Sequence, residues 1–320
     1  MNAQTKMAII AIMVVIPLTS VVVYGTNANQ EFTSNDNSKL QAVSSFNPLY
    51  EFSQIVGGER IDVTLLVPVG VEPHDWEPTI KDVQRMQKSD LIVINGIGFE
   101  SWVDDLIEND YQGIIVNTSN GIELNSSEEE HEEEGHEEEQ HEEEGQEDEH
   151  GHLEGDPHIW LNPLYAKIQV QNIANAFTNS DSTNSEFYLA NAEKYNKKLD
   201  LLDSKIRTEL SGCKHDFIAF HDAFSYFADE YDLNQHTIVA TTNSHGEVTA
   251  KTLENVISTA RELNIKVIFS EETVNTKTSQ IIANEIGGKV LVLSPLEIVS
   301  QDNYISKMTQ NLENLKEALC

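Results

Sequence analysis

Positive charge is scarce in this sequence: 20 Lys and Arg stand against 54 Asp and Glu in 320 residues, a formal net charge of −34. Nucleic acid is thereby excluded as a partner, because phosphate binding needs clustered Lys and Arg. The shortage is not confined to one segment. Residues 128–149 hold fifteen acids and no base, yet the remainder, with 39 acids against 20 bases, is still −19. Such a surface suits cations and favours solubility. Cysteine is also scarce, at two residues, Cys213 and Cys320. An exported chain could join them in one bridge closing a long loop, worth about 4–5 kcal/mol in the chain-entropy model; equally, the two thiols could stay apart. Long apolar runs are limited to one, residues 7–24, eighteen residues without a charge after Lys6. That is long for a signal-peptide core and just enough to span a bilayer. No cysteine follows it, which argues against a bacterial-type lipid anchor. We expect residues 1–28 to be a signal peptide or an N-terminal membrane anchor, with a weak cleavage site near Gly25 or Ala28. Residues 29–40 then form a linker, and the rest of the chain is extracytoplasmic, at a cell surface or in a periplasm-like space.

Beyond the leader, short apolar runs alternate with helical patterns. The spacing predicts strands at 41–46, 61–68, 91–95 and 113–117, with helices at 47–58, 79–90 and 99–109. A helix at 163–178, which Pro163 suits as a start, and a long one at 185–210 follow. Alternation then resumes, with strands at 216–220, 237–241, 266–270 and 289–294 and helices at 224–231, 249–263, 275–286 and 303–319. Strand–helix alternation implies parallel sheets covered by helices. The fold class is α/β, in two lobes, each a mainly parallel four-stranded sheet with flanking helices, joined by one long linking helix. The N-terminal lobe is 41–162, the linking helix 163–180 and the C-terminal lobe 181–320, with a His- and Glu-rich insertion at 126–155.

In such sheets ligands bind off the carboxyl ends of the strands. Outside the acidic run there are six histidines. His74 in GVEPHDWEP follows the second strand, His158 in DPHIWLNP precedes the linking helix, and His221 in IAFHDAF ends the fifth strand. All three fall where a cleft between lobes lies. Three neutral imidazoles converging on one point suit Zn²⁺, which takes nitrogen at about 2.0–2.1 Å, usually with four ligands. His74 and His158 each have a nearby acid (Asp75, Asp156) and a tryptophan two residues on (Trp76, Trp160); Asp222 adjoins His221. Such acids can hold the second imidazole nitrogen, and aromatics lower the local dielectric. His215 and His236 fall before strands and read as surface residues. His245 follows the sixth strand in a loop.

The segments VPVGVEPHDWEPT, DLIVINGIGFESWVDDL, DPHIWLNP, FIAFHDAFSYFADEYDL, IKVIFSEE and YISKMTQNLENL resemble those of the zinc/manganese solute-binding proteins of ABC transporters, of the ZnuA type. The likeness runs from about residue 40 to 319. It implies two α/β lobes bridged by a long helix, with metal in the cleft and an ABC permease as the partner that receives it. Zinc members typically place histidines at the positions of His74, His158 and His221; manganese members usually carry Glu at the last. Nitrogen donors suit zinc and oxygen donors manganese, so this chain sides with zinc. Many relatives have Asp at the end of the last strand, where this chain has Ser294. Water is the expected fourth ligand, with Glu72, Glu297 or His245 as alternatives and Glu297 three residues too far along to be relied on.

The acidic insertion, EEEHEEEGHEEEQHEEEG at its centre, spaces His131, His136 and His141 five apart. A helical H-E-x-x-H metalloprotease site needs four; five residues turn successive rings about 140° apart on a helix. The run is too charged and glycine-broken to fold alone. With His150 and His152 it reads as an accessory loop that collects metal weakly, or else as a plain solvated loop. The chain is therefore expected to be a monomeric, non-enzymatic zinc-binding protein. Rival readings are manganese or another divalent ion, a surface zinc reservoir or adhesin, and a metal-dependent hydrolase needing an open coordination site and a base.

Overall fold

A computed structural model of the chain describes residues 39–124, 155–239, 248–272, 274 and 276–320. Two separate sheets account for its strands. The first runs β2–β1–β3–β4, with β1 Leu40–Ser44, β2 Ile61–Leu65, β3 Leu91–Ile94 and β4 Ile114–Asn117. The second runs β6–β5–β7–β8, with β5 Asp216–Ala219, β6 Asn234–Thr237, β7 Val267–Ser270 and β8 Lys289–Val292. Every pairing is parallel. In each sheet the first strand in sequence sits inside and the chain winds outward both ways, which places a switch point at the carboxyl ends. β3 and β7, buried at every residue, read as apolar runs because helices cover both faces.

The helices start where local chemistry makes them start. α1 (Asn47–Gly57) has Pro in its first turn and buries Leu49, Phe52 and Val56 along one stripe. α2 (Ile80–Met86) opens with a capping box between Thr79 and Asp82. α3 is Val103–Glu108. α4 (Pro163–Ser180) is capped by the Asn162 side chain, which accepts from Leu164 N–H, and has Pro163 in its first turn. α5 (Ser185–Leu210) has the predicted bounds. α6 (Ser225–Glu230), α7 (Ala250–Glu262) and α8 (Lys277–Ile286) cover the second sheet, and α9 (Tyr304–Leu319) is capped by Asn303. Gly96, just past β3, has φ +86°, and a Cβ there would meet Asn117 Oδ1 at 2.2 Å. Only glycine fits that turn.

One apolar cluster runs through both halves. It joins Phe46, Leu49 and Phe52 to Trp160, Ile173 and Phe177, then to Tyr188, Leu199, Phe217, Phe269 and Leu312. α4, 18 residues long and so about 27 Å, threads it. The two sheets therefore share packing through α4 and α5. Cys213 and Cys320 are joined in a disulfide that ties the end of α5 to the end of α9, the pairing the sequence left open.

One expected strand is displaced. The run 237–241 is apolar enough to suggest a strand, but β6 is Asn234–Thr237. β6 is an edge strand, where a polar N-Q-H-T sequence costs little. Asn234 N–H bonds His215 O, which sets the register. His236 thus lies within the strand, its Nε2 3.1 Å from Asp216 Oδ1, rather than before it. The apolar leader, the linker up to residue 38, His245 and the insertion histidines His131, His136, His141, His150 and His152 lie outside the described residues. Among the described residues no helix is long and apolar enough to cross a membrane.

Candidate metal centre

Four strand ends of the two sheets converge. His74 lies in the loop after β2, His158 just before a 3₁₀ turn (Ile159–Leu161), His221 two residues after β5, and Glu297 five residues after β8. Each presents one ligand atom, and the four atoms lie within 4.8 Å of one another. His74 Nε2 is 3.2 Å from His158 Nε2 and 3.1 Å from Glu297 Oε1. His158 Nε2 is 3.3 Å from His221 Nε2 and 3.4 Å from Glu297 Oε1. Ligand atoms about 2.0–2.1 Å from a tetrahedral centre stand about 3.3–3.4 Å apart. Four of the six edges of the set, at 3.1–3.4 Å, are those of the ligand shell of a small tetrahedral cation.

Neighbouring groups fix how the rings present. His158 Nδ1 is 2.6 Å from Asp156 Oδ1, and His221 Nδ1 is 2.6 Å from Glu271 Oε1. Those carboxylates take the Nδ1 protons and turn both Nε2 lone pairs to the centre. His158 and His221 are fully buried, and the side chains of Glu297 and His74 are 1% and 6% exposed. Four lone pairs facing one another away from water repel unless a cation sits among them.

The titrations report the same pressure. Burial acts to lower His158, but the charge and hydrogen bond of Asp156, with Glu297 adding, override it and push the imidazole up to about 10. Burial acts to raise Glu297, yet the hydrogen bonds of His158 and His74 hold it well below the ordinary carboxylate range. Burial lowers His74. Burial and the charge of Glu297 push Glu72 up to about 8, so at neutral pH it stands as the acid beside a carboxylate. Burial likewise raises Glu271.

The three expected histidines come together, and among the described residues the Glu297 carboxylate faces them as the fourth group. Glu297 reaches because residues 294–297 turn sharply. The Ser294 hydroxyl accepts from Leu296 N–H at 3.2 Å, and Leu296 adopts φ +64°. An extended chain would have carried Glu297 past the cleft. Asp156 and Trp160 lie against His158, the Trp160 ring 5.1 Å from the imidazole. Asp222 does not hold His221; its Oδ1 accepts from Gln235 Nε2, and Glu271 takes the role. Glu271, which the sequence reading did not name, lies one residue past β7, at a strand's carboxyl end, and that position is the one signal that could have found it. Trp76 packs edge-on to Trp102, whereas Phe99 stands edge-on to His74 at 4.8 Å. Asp75 is exposed.

The DPH segment is held to the first sheet by a buried network. Asn95 Nδ2 donates to Pro157 O at 2.8 Å, and Gln169 of α4 donates to Asn95 Oδ1 and Thr118 Oγ1, both at 3.1 Å. Ser225 Oγ bonds Asp156 Oδ2, and Tyr226 Oη donates to Asp156 O at 2.9 Å. His158 is thereby fixed from both lobes at once.

The chain is similar to known zinc-binding proteins. The family model described as "Zinc-uptake complex component A periplasmic" matches residues 42–318. The high-affinity zinc uptake system protein ZnuA of Bacillus subtilis is 39% identical over 305 residues, covering 92% of each chain. The zinc-binding protein AdcA of Streptococcus pyogenes is 34% identical over 288 residues, 87% of this chain but 56% of its own length. The metal-dependent lipoprotein YcdH of Bacillus subtilis has a crystal structure similar at TM-score 0.73, with 37% identity over 88% of this chain and 99% of that one. The Zn(II)-bound ZnuA-like domain of Streptococcus pneumoniae AdcA is similar at TM-score 0.72, with 28% identity over 88% and 99%.

Proposed function

The chain belongs to the zinc-uptake complex component A family, and from that premise we propose that His74, His158, His221 and Glu297 capture one Zn²⁺ between the lobes for delivery to a membrane permease. The chain is a zinc-binding solute-binding protein of an ABC-type uptake system, not an enzyme. Zinc is its cargo. The observation that carries the assignment to these four residues is the set of edges of 3.1–3.4 Å between buried lone pairs. A closed set of four protein ligands leaves no open position for the activated water a hydrolase requires.

The donor set favours zinc over manganese, since three imidazoles outweigh one carboxylate. The carboxylate lowers the net charge of the loaded centre, and Asp156 and Glu271 lower it further. The family description, a periplasmic component of a zinc-uptake complex, supports work outside the cytoplasm with a membrane permease as partner. The acidic insertion between β4 and His158 serves as an accessory collector of metal in this reading. Residues 7–24 direct the export.

Calorimetric titration of zinc, then manganese, into the protein lacking its leader tests this. One tight zinc site is expected, abolished by His158→Ala. It persists when residues 126–155 are deleted, and the extra weak sites disappear. Tight zinc retained by His158→Ala, or lost with the insertion, would overturn the assignment.

A further inference from the structure

We propose that Asn47, the first residue of α1 in the N-terminal lobe, is a positioning residue for Glu297 and makes that ligand conditional on closure of the lobes. The inference rests on Glu297 being a ligand as proposed above. Glu297 lies in an irregular segment between β8 and α9 of the other lobe. On its own side that segment is tied to α9: Ser294 N–H donates to Asn311 Oδ1 at 2.8 Å, and Asn311 Nδ2 donates to Ser294 O at 2.7 Å. The next two carbonyls are held by donors from elsewhere. Trp160 Nε1 donates to Pro295 O at 2.7 Å, and Asn47 Nδ2 donates to Leu296 O at 3.0 Å.

Leu296 is the joint that matters. Its φ of +64° is one that L side chains rarely adopt. That turn aims Glu297 inward, and the carbonyl at its centre is gripped by a residue 249 positions away in sequence. A second cross-lobe bond closes the far end of the segment, where Tyr304 N–H donates to Glu51 Oε2 at 2.8 Å. Alongside lies a groove of about 750 Å³ lined by Asn47, Glu51, Val299 and Asp302, among others. The groove flanks the outer part of the segment, whereas Leu296 itself is seated in the core. Parting the lobes must break the Asn47 bond; Leu296 then relaxes and the carboxylate leaves the centre. The metal passes from four ligands to fewer as the lobes part, which speeds its release.

Asn47 is open to a clean test because it does no other local work. The N-cap of α1 is Phe46, with no side-chain cap bond, so Asn47→Ala removes no cap. Zinc dissociation is followed by chelator capture in the wild type, Asn47→Ala, Glu297→Ala and the double variant. Cobalt(II) spectra and metal-free melting temperatures are recorded in parallel. Asn47→Ala is expected to release zinc about three- to tenfold faster, the worth of one hydrogen bond. Its cobalt spectrum moves toward that of Glu297→Ala, its melting temperature stays near wild type, and it adds nothing in the Glu297→Ala background. Wild-type release from Asn47→Ala, or an equal acceleration in both backgrounds, overturns the latch. Glu297→Ala with an unchanged cobalt spectrum and zinc rate instead overturns the carboxylate as ligand, and the latch with it.

Discussion

At the scale of single residues, the most exposed to test is Glu100. It is buried, yet its Oε1 accepts from Ser45 Oγ at 2.7 Å and Asn95 N–H at 2.8 Å, and its Oε2 from Gly96 N–H at 3.0 Å. Burial outweighs these bonds and pushes the carboxyl up from 4.5 to about 7. An acid raised in the folded state holds a proton that the unfolded chain has lost. Stability from this group is full below pH 4.5 and declines as pH rises to about 7, by about 3 kcal/mol in all. Glu100→Gln abolishes that slope, at the cost of the bond from Gly96 N–H, which an amide NH₂ cannot accept. Urea unfolding of the metal-free proteins at pH 5 and pH 8 checks it. The variant gains on the wild type by about 3 kcal/mol between the two, and parallel behaviour would put Glu100 back at its ordinary value. Residue-scale legibility of the metal centre was uneven for a physical reason. His74, His158 and His221 follow from strand ends and need no knowledge of side-chain paths. Glu297 depends on a left-handed residue held across the lobes, and Glu271 on which carboxylate wins the His221 Nδ1 proton. Neither contest is written in local sequence.

At the scale of elements, caps and stripes carried most of the fold into view. α1, α2, α4 and α9 all begin at Pro, Thr or Asn residues that the sequence displays, and α5 matches its predicted ends. β6 went astray because an edge strand need not be apolar, and pairing with β5 chose the register. The link between α5 and α9 was the one element-level tie the sequence could not decide. Cys213 and Cys320 lie 107 residues apart with Cα atoms at 4.6 Å, and Lys316 reaches Glu209 at 2.6 Å beside them. Cys213 precedes β5 and His221 follows it, so the clip stands at the amino end of the strand and the candidate ligand at its carboxyl end. Changing both cysteines to serine should therefore lower unfolding free energy by about 4 kcal/mol. The exposed ion pair adds little, and the affinity for zinc stays as it was. Guanidinium melts and zinc competition on the same samples read the two effects separately. A fall in zinc affinity along with stability would mean that the clip helps shape the cleft, against the separation drawn here.

Over the whole molecule the dominant physical quantity is charge. At −34 the protein surrounds a buried cation site with a negative field, and fifteen of its acids lie in the insertion at 128–149 that leads directly to His158. A field of this kind raises the local concentration of a divalent ion and its rate of arrival, and salt screens it over about 8–10 Å. The four proposed ligands are buried, so screening reaches them far less than it reaches the surface. Zinc capture and zinc release should then respond differently to ionic strength. The association rate falls as salt rises, and it falls more steeply in the whole protein than in one lacking residues 126–155. The dissociation rate is nearly flat in both. Stopped-flow capture from a chelator-buffered zinc pool across a range of salt measures both rates. Equal salt slopes with and without the insertion would show that the run does not steer. A steep salt dependence of release would mean that the cargo is held by surface charge rather than by buried imidazoles, and the cleft assignment would fail with it.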